Sequence, residues 1–450
     1  MIPGSASQFF LGASQATGGA AGGYQISRSL RFNASDSAYL SRTPASAGNR
    51  KTWTWAGWVK RSALGANQAL FGIAAGGGTS EPFGFNSSDQ LWFVQGATSY
   101  RVSTSVYRDT SAWYHIVLTL DTTQATASNR IKIYVNGAQV VAFDFSSDPS
   151  QNVDLPWNNA ALHTIGSDYE GSVSRFHFSG YLADIHFIDG QALDPSSFTE
   201  TDATTGQLVP KAFSGSYGIN GWHLEFADNS AATATTLGKD SSGNGNNWSP
   251  QNLSVTAGAG NDSLVDVPTN GAQTDTGVGG EVRGNYATWN PLSKASAATL
   301  SNGNLDASYT SSSYPHLGSD STIFLPTSGK WYWEITVTTV GELWTGIRNV
   351  VDGKQSTYYR DGSGGFNNIR IEASSSTGSA NAASYTNGDI IGVAVNCDGS
   401  TIAWYKNGSQ VGTTYSLTNV ANLVPFAGHA STSGSAAVVA NFGQRAFAYT

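Results

Sequence analysis

The sequence predicts an all-β protein, with two antiparallel β-sandwiches joined by an irregular, strand-poor connector. Composition is the first observation: 52 glycines, 12% aromatics and 12% charged residues, with only 9 Lys and 8 Glu among 450 residues. Strand and turn formers dominate, and the good surface-helix formers are scarce. The second is pattern, because short apolar runs with period-two alternation recur between clusters of turn residues. The third is a pair of Tyr-x-Asn-Gly hairpin turns, at 134–137 and 405–408. Hydrophobic content of 39% is enough for real cores, since a domain above about 150 residues buries roughly 70% of its unfolded surface.

Residues 1–23 form a Gly/Ala/Ser/Gln stretch ending in Gly18-Gly19-Ala20-Ala21-Gly22-Gly23. It has too little apolar surface to fold alone and is expected to be a flexible leader or docking peptide. Residues 24–200 are expected to form the first sandwich, with strands at 30–32, 53–59, 69–73, 91–95, 113–120, 131–135, 140–145 and 176–188. Its clearest hairpin alternates Ile131, Ile133 and Val135, then turns at Asn136-Gly137, the positive-φ pair of a type I′ turn. Leu193-Asp-Pro-Ser-Ser-Phe reads as a short helix capped by Asp194 with Pro195 first in the helix. Residues 201–327 are rich in Thr, Ser, Gly and Asn, with one expected strand at Trp222-His-Leu-Glu-Phe, and read as a connector packed on its neighbours. Residues 328–450 are expected to form the second sandwich, with strands at 331–337, 390–395, 401–405 and 437–442.

The net charge of −8, with basic residues spread thinly, argues against a nucleic-acid or membrane-surface partner. No stretch approaches the ~18 apolar residues of a membrane span. Cys397 is the only cysteine, so neither an intrachain disulfide nor a cysteine-based zinc site is possible. The segment Met1-Ile-Pro-Gly-Ser-Ala-Ser-Gln-Phe-Phe-Leu has no positive charge and a three-residue apolar run, and is not expected to be a secretory signal.

Several stretches carry resemblances. Ser29-Leu-Arg-Phe-Asn-Ala-Ser-Asp-Ser-Ala-Tyr-Leu, Trp53-Thr-Trp-Ala-Gly-Trp-Val-Lys, Ala112-Trp-Tyr-His-Ile-Val-Leu-Thr-Leu-Asp, Ile131-Lys-Ile-Tyr-Val-Asn-Gly and Phe178-Ser-Gly-Tyr-Leu-Ala-Asp-Ile-His-Phe follow one another in order. Together they resemble the laminin-G-like branch of the concanavalin-A-like sandwiches, shared with pentraxins. Trp331-Tyr-Trp-Glu-Ile-Thr-Val, Gly388-Asp-Ile-Ile-Gly-Val-Ala-Val-Asn, Ile402-Ala-Trp-Tyr-Lys-Asn-Gly, Leu423-Val-Pro-Phe and Val439-Ala-Asn-Phe-Gly-Gln-Arg-Ala-Phe-Ala-Tyr resemble a SPRY domain. With a connector bearing Gly218-Ile-Asn-Gly-Trp and Lys239-Asp-Ser-Ser-Gly-Asn-Gly-Asn-Asn-Trp, the whole arrangement is similar to virion proteins of tailed phages. That resemblance implies a fibre, appendage or decoration on the particle, assembled in the host cytoplasm.

The residues do not supply catalytic patterns. The eight glutamates, at 81, 170, 200, 225, 281, 334, 342 and 372, are scattered, and Glu225 and Asp228 have the wrong parity to share a strand face. A nucleophile elbow and a phosphate-binding loop are both missing. The histidines, at 115, 163, 177, 186, 223, 316 and 429, show no zinc-binding spacing. His115 reads as a hydrogen-bonded structural histidine within a strand.

Binding candidates come from two sources. The laminin-G-like and pentraxin-like resemblance implies calcium at the sandwich rim, for which Asp36 and Asp184 are the candidate ligands. Two acids fall short of the six to eight oxygens that calcium takes. A glycan reader would show aromatics flanked by polar groups, and the candidates are Trp92 and Tyr107, with Trp344, Arg348, Tyr358, Tyr359 and Arg360 in the last unit. The run 356–362 reads equally as a recognition loop or as a cross-strand aromatic pair. The expectation is therefore a non-enzymatic virion protein, a tail-fibre or receptor-binding component contacting host glycan or protein. A capsid decoration or head-fibre protein is the alternative, and a glycan-degrading enzyme the second. Partners would be other virion proteins and further copies of the chain.

Overall fold

The computed structural model describes residues 23–449 apart from 75–80, 97, 171–172, 204, 270–281, 311–316, 354, 361–366, 372–379, 382–383 and 430–433. At 317, 356, 358–360, 367–371 and 380–381 it describes the backbone alone. The leader at 1–23 lies outside the described residues except for Gly23.

The chain is all-β, as its composition requires, and its strands gather into two compact units, one ending at Thr269 and the other taking the described residues beyond it. In the first unit, one sheet runs Ala138–Gln139, Ile131–Val135, Tyr114–Asp121, Thr52–Arg61, Gly180–Asp189, Ser29–Phe32 and Ser263–Leu264, with Trp222–Leu224 also pairing Gly180–Asp189. The facing sheet runs Phe143–Ser146, Thr98–Val106, Gln90–Gln95, Phe83–Phe85, Gln68–Ile73, His163–Ile165, Tyr39–Arg42 and Ser249–Gln251. Between them lies a core of Leu30, Phe32, Trp53, Trp55, Phe71, Phe83, Phe93, Ile116, Leu118, Trp157, Leu182 and Phe187.

The first sheet is covered on its second face as well. Ala56, Val117 and Ile188 turn away from the core, and Phe198, Phe213 and Tyr217 pack over them. Burial on both faces explains why all ten residues of Gly180–Asp189 are buried, polar ones included.

The span expected to be a connector is thus divided. Residues up to Thr269 contribute strands and buried side chains to the first sandwich, and those after 281 open the second. The strand expected at 222–226 is present as Trp222–Leu224, but its place in the first sandwich was not legible, and the other added strands, Ser249–Gln251 and Ser263–Leu264, are too short to show alternation.

Local chemistry follows the predicted turns. Asn136 and Gly137 have φ of 49° and 80°, Asn407 and Gly408 of 48° and 79°. The helix predicted after Leu193 is a single 3-10 turn, Pro195–Ser197, with the Asp194 carboxylate accepting from the Ser196 N–H at 2.9 Å.

The second unit pairs Trp289–Lys294, Leu317–Ser321, Leu423–His429, Leu343–Asn349, Gln355–Arg360, Asn367–Ile371 and Ala380–Asn381 in one sheet. Its other sheet runs Ala298–Ser301, Asp306–Thr310, Ser435–Asn441, Lys330–Thr339, Ile390–Asn396, Thr401–Lys406 and Ser409–Ser416.

Candidate functional site

Two features concentrate chemistry, one open and one sealed. The open one lies on the second sandwich. Along Ile390–Asn396, Ile391, Val393 and Val395 are buried, while the small Gly392 and Ala394 alternate to the opposite face. The register sets Tyr332 against Ala394 and Tyr405 against Gly392. A Cβ at position 392 would come 2.5 Å from the Tyr332 Oη, so only glycine lets that ring lie across the strand.

The result is a groove of about 290 Å³ whose lining includes Trp331, Tyr332, Asn396, Thr401, Tyr405 and Thr414. It adjoins a recess of about 270 Å³ bounded by Tyr332, Tyr405, Gly408 and Tyr449. The chain after the last strand builds the rim. The Glu334 carboxylate accepts from the backbone N–H groups of Ala448 and Tyr449, each at 2.8 Å. Phe447 packs edge-on against Tyr332, with ring centroids 5.0 Å apart. Flat aromatic faces beside amide and hydroxyl groups suit a hydroxyl-rich ligand.

The residues predicted to read a ligand fall elsewhere. Tyr107 is a core residue, 8% exposed and edge-on to Tyr114. Trp344 is also buried, at 5% exposed, in a strand paired on both edges. Trp92 is half-buried against Phe176, its indole N–H donating to Ser99 at 3.4 Å. Arg348 is committed to Asp320 at 2.5 Å and lies over the Phe426 ring. Tyr358, Tyr359 and Arg360 sit in the strand Gln355–Arg360, with Tyr359 opposite Trp344; their side chains lie outside the described residues. The backbone thus places the run in a paired strand. The groove was legible in hindsight, since Ile-Ile-Gly-Val-Ala-Val alternates large and small residues, which marks a strand with a bare outer face.

The sealed feature surrounds Asp184. The strand Gly180–Asp189 pairs with Ser29–Phe32 through residues 180–182, then with Trp222–Leu224 through 185–187. At the junction a bulge interrupts its pairing with Thr52–Arg61, and Asp184 takes a φ of 51°. The Asp184 carboxylate accepts from the Tyr24 hydroxyl at 2.7 Å and lies 2.7 Å from the His223 Nε2 and 3.4 Å from the His186 Nε2. His186 and His223 are direct cross-strand partners, their rings stacked at 4.0 Å. The His186 Nδ1 meets the Tyr217 hydroxyl at 3.0 Å.

Connector motifs put His223 there. A Cβ at Gly221 would lie 1.8 Å from the Tyr217 carbonyl oxygen, so this approach demands glycine. The Asp240 carboxylate accepts from the His223 N–H at 2.9 Å, and the Asn244 and Asn246 amides both donate to the Gly221 carbonyl at 2.9 Å.

Burial alone would raise Asp184, but His186 and His223 outweigh it and hold the carboxyl well below the usual carboxylate range. Burial, with His223 alongside, pushes His186 down. His115 is pushed down to about 3, chiefly by burial. Its backbone N–H donates to Asn136, but its Nδ1 has no hydrogen bond, so the structural histidine expected there is held by packing against Trp58.

Asp36, the other candidate calcium ligand, is not a partner of Asp184. It ends a 3-10 turn and accepts from the Asn33 amide at 2.8 Å. Among the described residues the metal-capable group containing Asp184 is completed by two histidines. Nitrogen donors are not what calcium selects. Sequence spacing missed the histidines because strand pairing, not proximity in the chain, joins 186 to 223.

Comparison with known families agrees with both folds. Residues 33–197 match the concanavalin A-like lectin/glucanases superfamily, and residues 330–445 match the SPRY domain. The chain therefore carries a concanavalin A-like domain followed by a SPRY domain, two β-sandwich folds that fit a binding role. Among solved structures it is similar to the SPRY domain of human HERC1, at 17% identity over 35% of this chain and 98% of that one, TM-score 0.29. A putative carbohydrate binding protein from Bacteroides ovatus is 16% identical over 51% of this chain and 59% of that one, TM-score 0.32. A SAP-like pentraxin from Limulus polyphemus is 14% identical over 42% and 94%, TM-score 0.30. A comparison with curated proteins gave no match.

Proposed function

We propose that this chain is a non-enzymatic recognition protein whose second sandwich takes a surface glycan in the groove between Tyr332 and Tyr405. The groove carries the reading: two aromatic walls stand beside a floor of Ala394 and Ala403, with Asn396, Thr401 and Thr414 among its lining. The titratable cluster at Asp184 is sealed, with His186 only 1% exposed, which favours recognition over turnover. The setting we propose is a virion, as a tail-fibre or receptor-binding component facing host glycan or protein, supported by the order of sequence units. Other virion proteins and further copies of the chain would be its partners there, since repetition multiplies weak single-site affinity.

The test is calorimetric titration of the full chain with host envelope polysaccharides. Tyr332→Ala and Tyr405→Ala should each weaken binding about tenfold, roughly 1.4 kcal/mol for one lost stacking face. Unchanged affinity in both variants, or the release of reducing ends, would sink the proposal. Electron microscopy of intact particles tests the setting: density on the tail supports it, density on the shell makes the chain a decoration protein, and absence from the particle removes it.

A further inference from the structure

We infer that Asp184, His186 and His223 form a binding site for a divalent transition metal of the zinc class. The three side chains offer one oxygen and two nitrogens that all lie within 4.8 Å of one another. A tetrahedral ion with bonds of about 2.0–2.1 Å to nitrogen and oxygen sets its ligands roughly 3.4 Å apart. The His186 Nε2 and Asp184 Oδ2 already stand 3.4 Å apart.

The second observation is the His186 Nε2 itself. The residue is 1% exposed, and this nitrogen has only a long 3.4 Å approach to the Asp184 Oδ2 in place of a well-formed hydrogen bond. A buried polar atom left in that state is costly. The Nδ1 meets the Tyr217 hydroxyl, and in the tautomer that donates there Nε2 presents a lone pair to Asp184, so that two acceptors face each other. A cation resolves that conflict.

The surroundings supply outer supports: Tyr217 on His186, Tyr24 on Asp184, and the Asp240 loop behind His223. Two imidazoles and one carboxylate suit zinc, cobalt or nickel, and the nitrogens exclude calcium as the natural occupant. Coordination turns the stacked rings so that both Nε2 lone pairs meet one ion, by rotation about χ2, a broad torsion in histidine. The ion would tie Trp222–Leu224 to Gly180–Asp189 at the bulge, pinning the segment after residue 201 to the first sandwich. This inference is independent of the groove.

The test uses the full chain without a histidine tag. Metal content is measured by mass spectrometry, and after chelation Co²⁺ is titrated while its ligand-field absorption is followed. The expected result is one equivalent per chain, a tetrahedral cobalt spectrum, no competition from excess Ca²⁺, and a fall in the melting temperature of the first unit on chelation. His186→Gln and His223→Gln should each weaken cobalt binding at least about a hundredfold, and Tyr217→Phe by about 10–100-fold, the range for an outer-shell partner. Should the histidine variants fail to fold, X-ray absorption of the cobalt-loaded wild type must show two imidazoles in the first shell. Binding of well under one equivalent to the folded wild type, undiminished binding in folded histidine variants, or a shell without imidazole would each overturn the inference.

Discussion

The buried pair Lys60–Asp266 measures how far the residues after 201 belong to the first sandwich. Lys60 lies on the covered face of Thr52–Arg61, its ammonium donating to both Asp266 oxygens at 3.1 and 2.8 Å, with both side chains 0% exposed. The Trp113 indole N–H also donates to Asp266, at 3.2 Å. Asp266→Asn keeps the shape and removes the charge, leaving an ammonium in a dry site. Breaking a buried pair from one side costs about 3–5 kcal/mol. The upper bound is consistent with deprotonation: Lys60 escapes burial as a charge by losing its proton, and at pH 7 that costs at most about 5 kcal/mol, at 1.36 kcal/mol for each pH unit below its ordinary pKa. At 2–4 °C per kcal/mol for a unit of this size, calorimetry of the full chain should show the first unit's transition falling by roughly 6–20 °C, with the second unmoved. The sign with pH follows. A neutral buried lysine binds fewer protons folded than unfolded, so the variant's stability rises with pH and its deficit shrinks as pH approaches the ordinary lysine value. Lys60→Met combined with Asp266→Leu should recover much of the loss. A shift under about 2 °C in Asp266→Asn, or a double variant worse than the single, would refute the reasoning.

Three further outcomes are expected. The Asp89 carboxylate is raised by burial, but donation from the Gly65 N–H and from Arg108, with the Arg61 charge, outweighs this and holds it below its ordinary value. Its stabilisation is therefore present above about pH 4 and lost as pH falls through the folded value, so Asp89→Asn should lower stability at pH 7 and flatten the acid limb of the first unit's unfolding curve. Asn136→Ala removes the acceptor of the His115 N–H, 2.8 Å away, at a φ of 49°, and should cost about 1–3 kcal/mol in denaturant melts. Cys397 is 3% exposed, its thiol pushed up to about 11 by burial, so a thiol reagent at pH 8 should label it only as the second unit unfolds.

Local chemistry made much of the fold readable. Period-two runs such as Ile131-Lys-Ile-Tyr-Val, the Asn-Gly turns and the Asp194-Pro195 cap each fix their own few residues, because turn and cap geometry is decided within four residues of chain. Asp184 was picked out from a motif, but its company was not: it meets His223 only because a bulge hands one strand from Ser29–Phe32 to Trp222–Leu224. Tyr107 and Trp344 were expected at a surface and lie in the core, since an aromatic in a strand has two possible faces and the register chooses between them. The same holds for Tyr332 and Tyr405, which a floor of small side chains turns into the walls of a groove.

By itself the sequence determined the class of structure, two β-sandwiches with their hairpins, and the kinds of chemistry the chain lacks motifs for. The tertiary structure alone decided which sheet face is covered twice, which short segments after residue 201 complete the first sandwich, and which side chains far apart in sequence meet. The physical reason is that turns and alternation are short-range properties of the chain, whereas burial and side-chain convergence depend on pairings whose partners lie tens to hundreds of residues away.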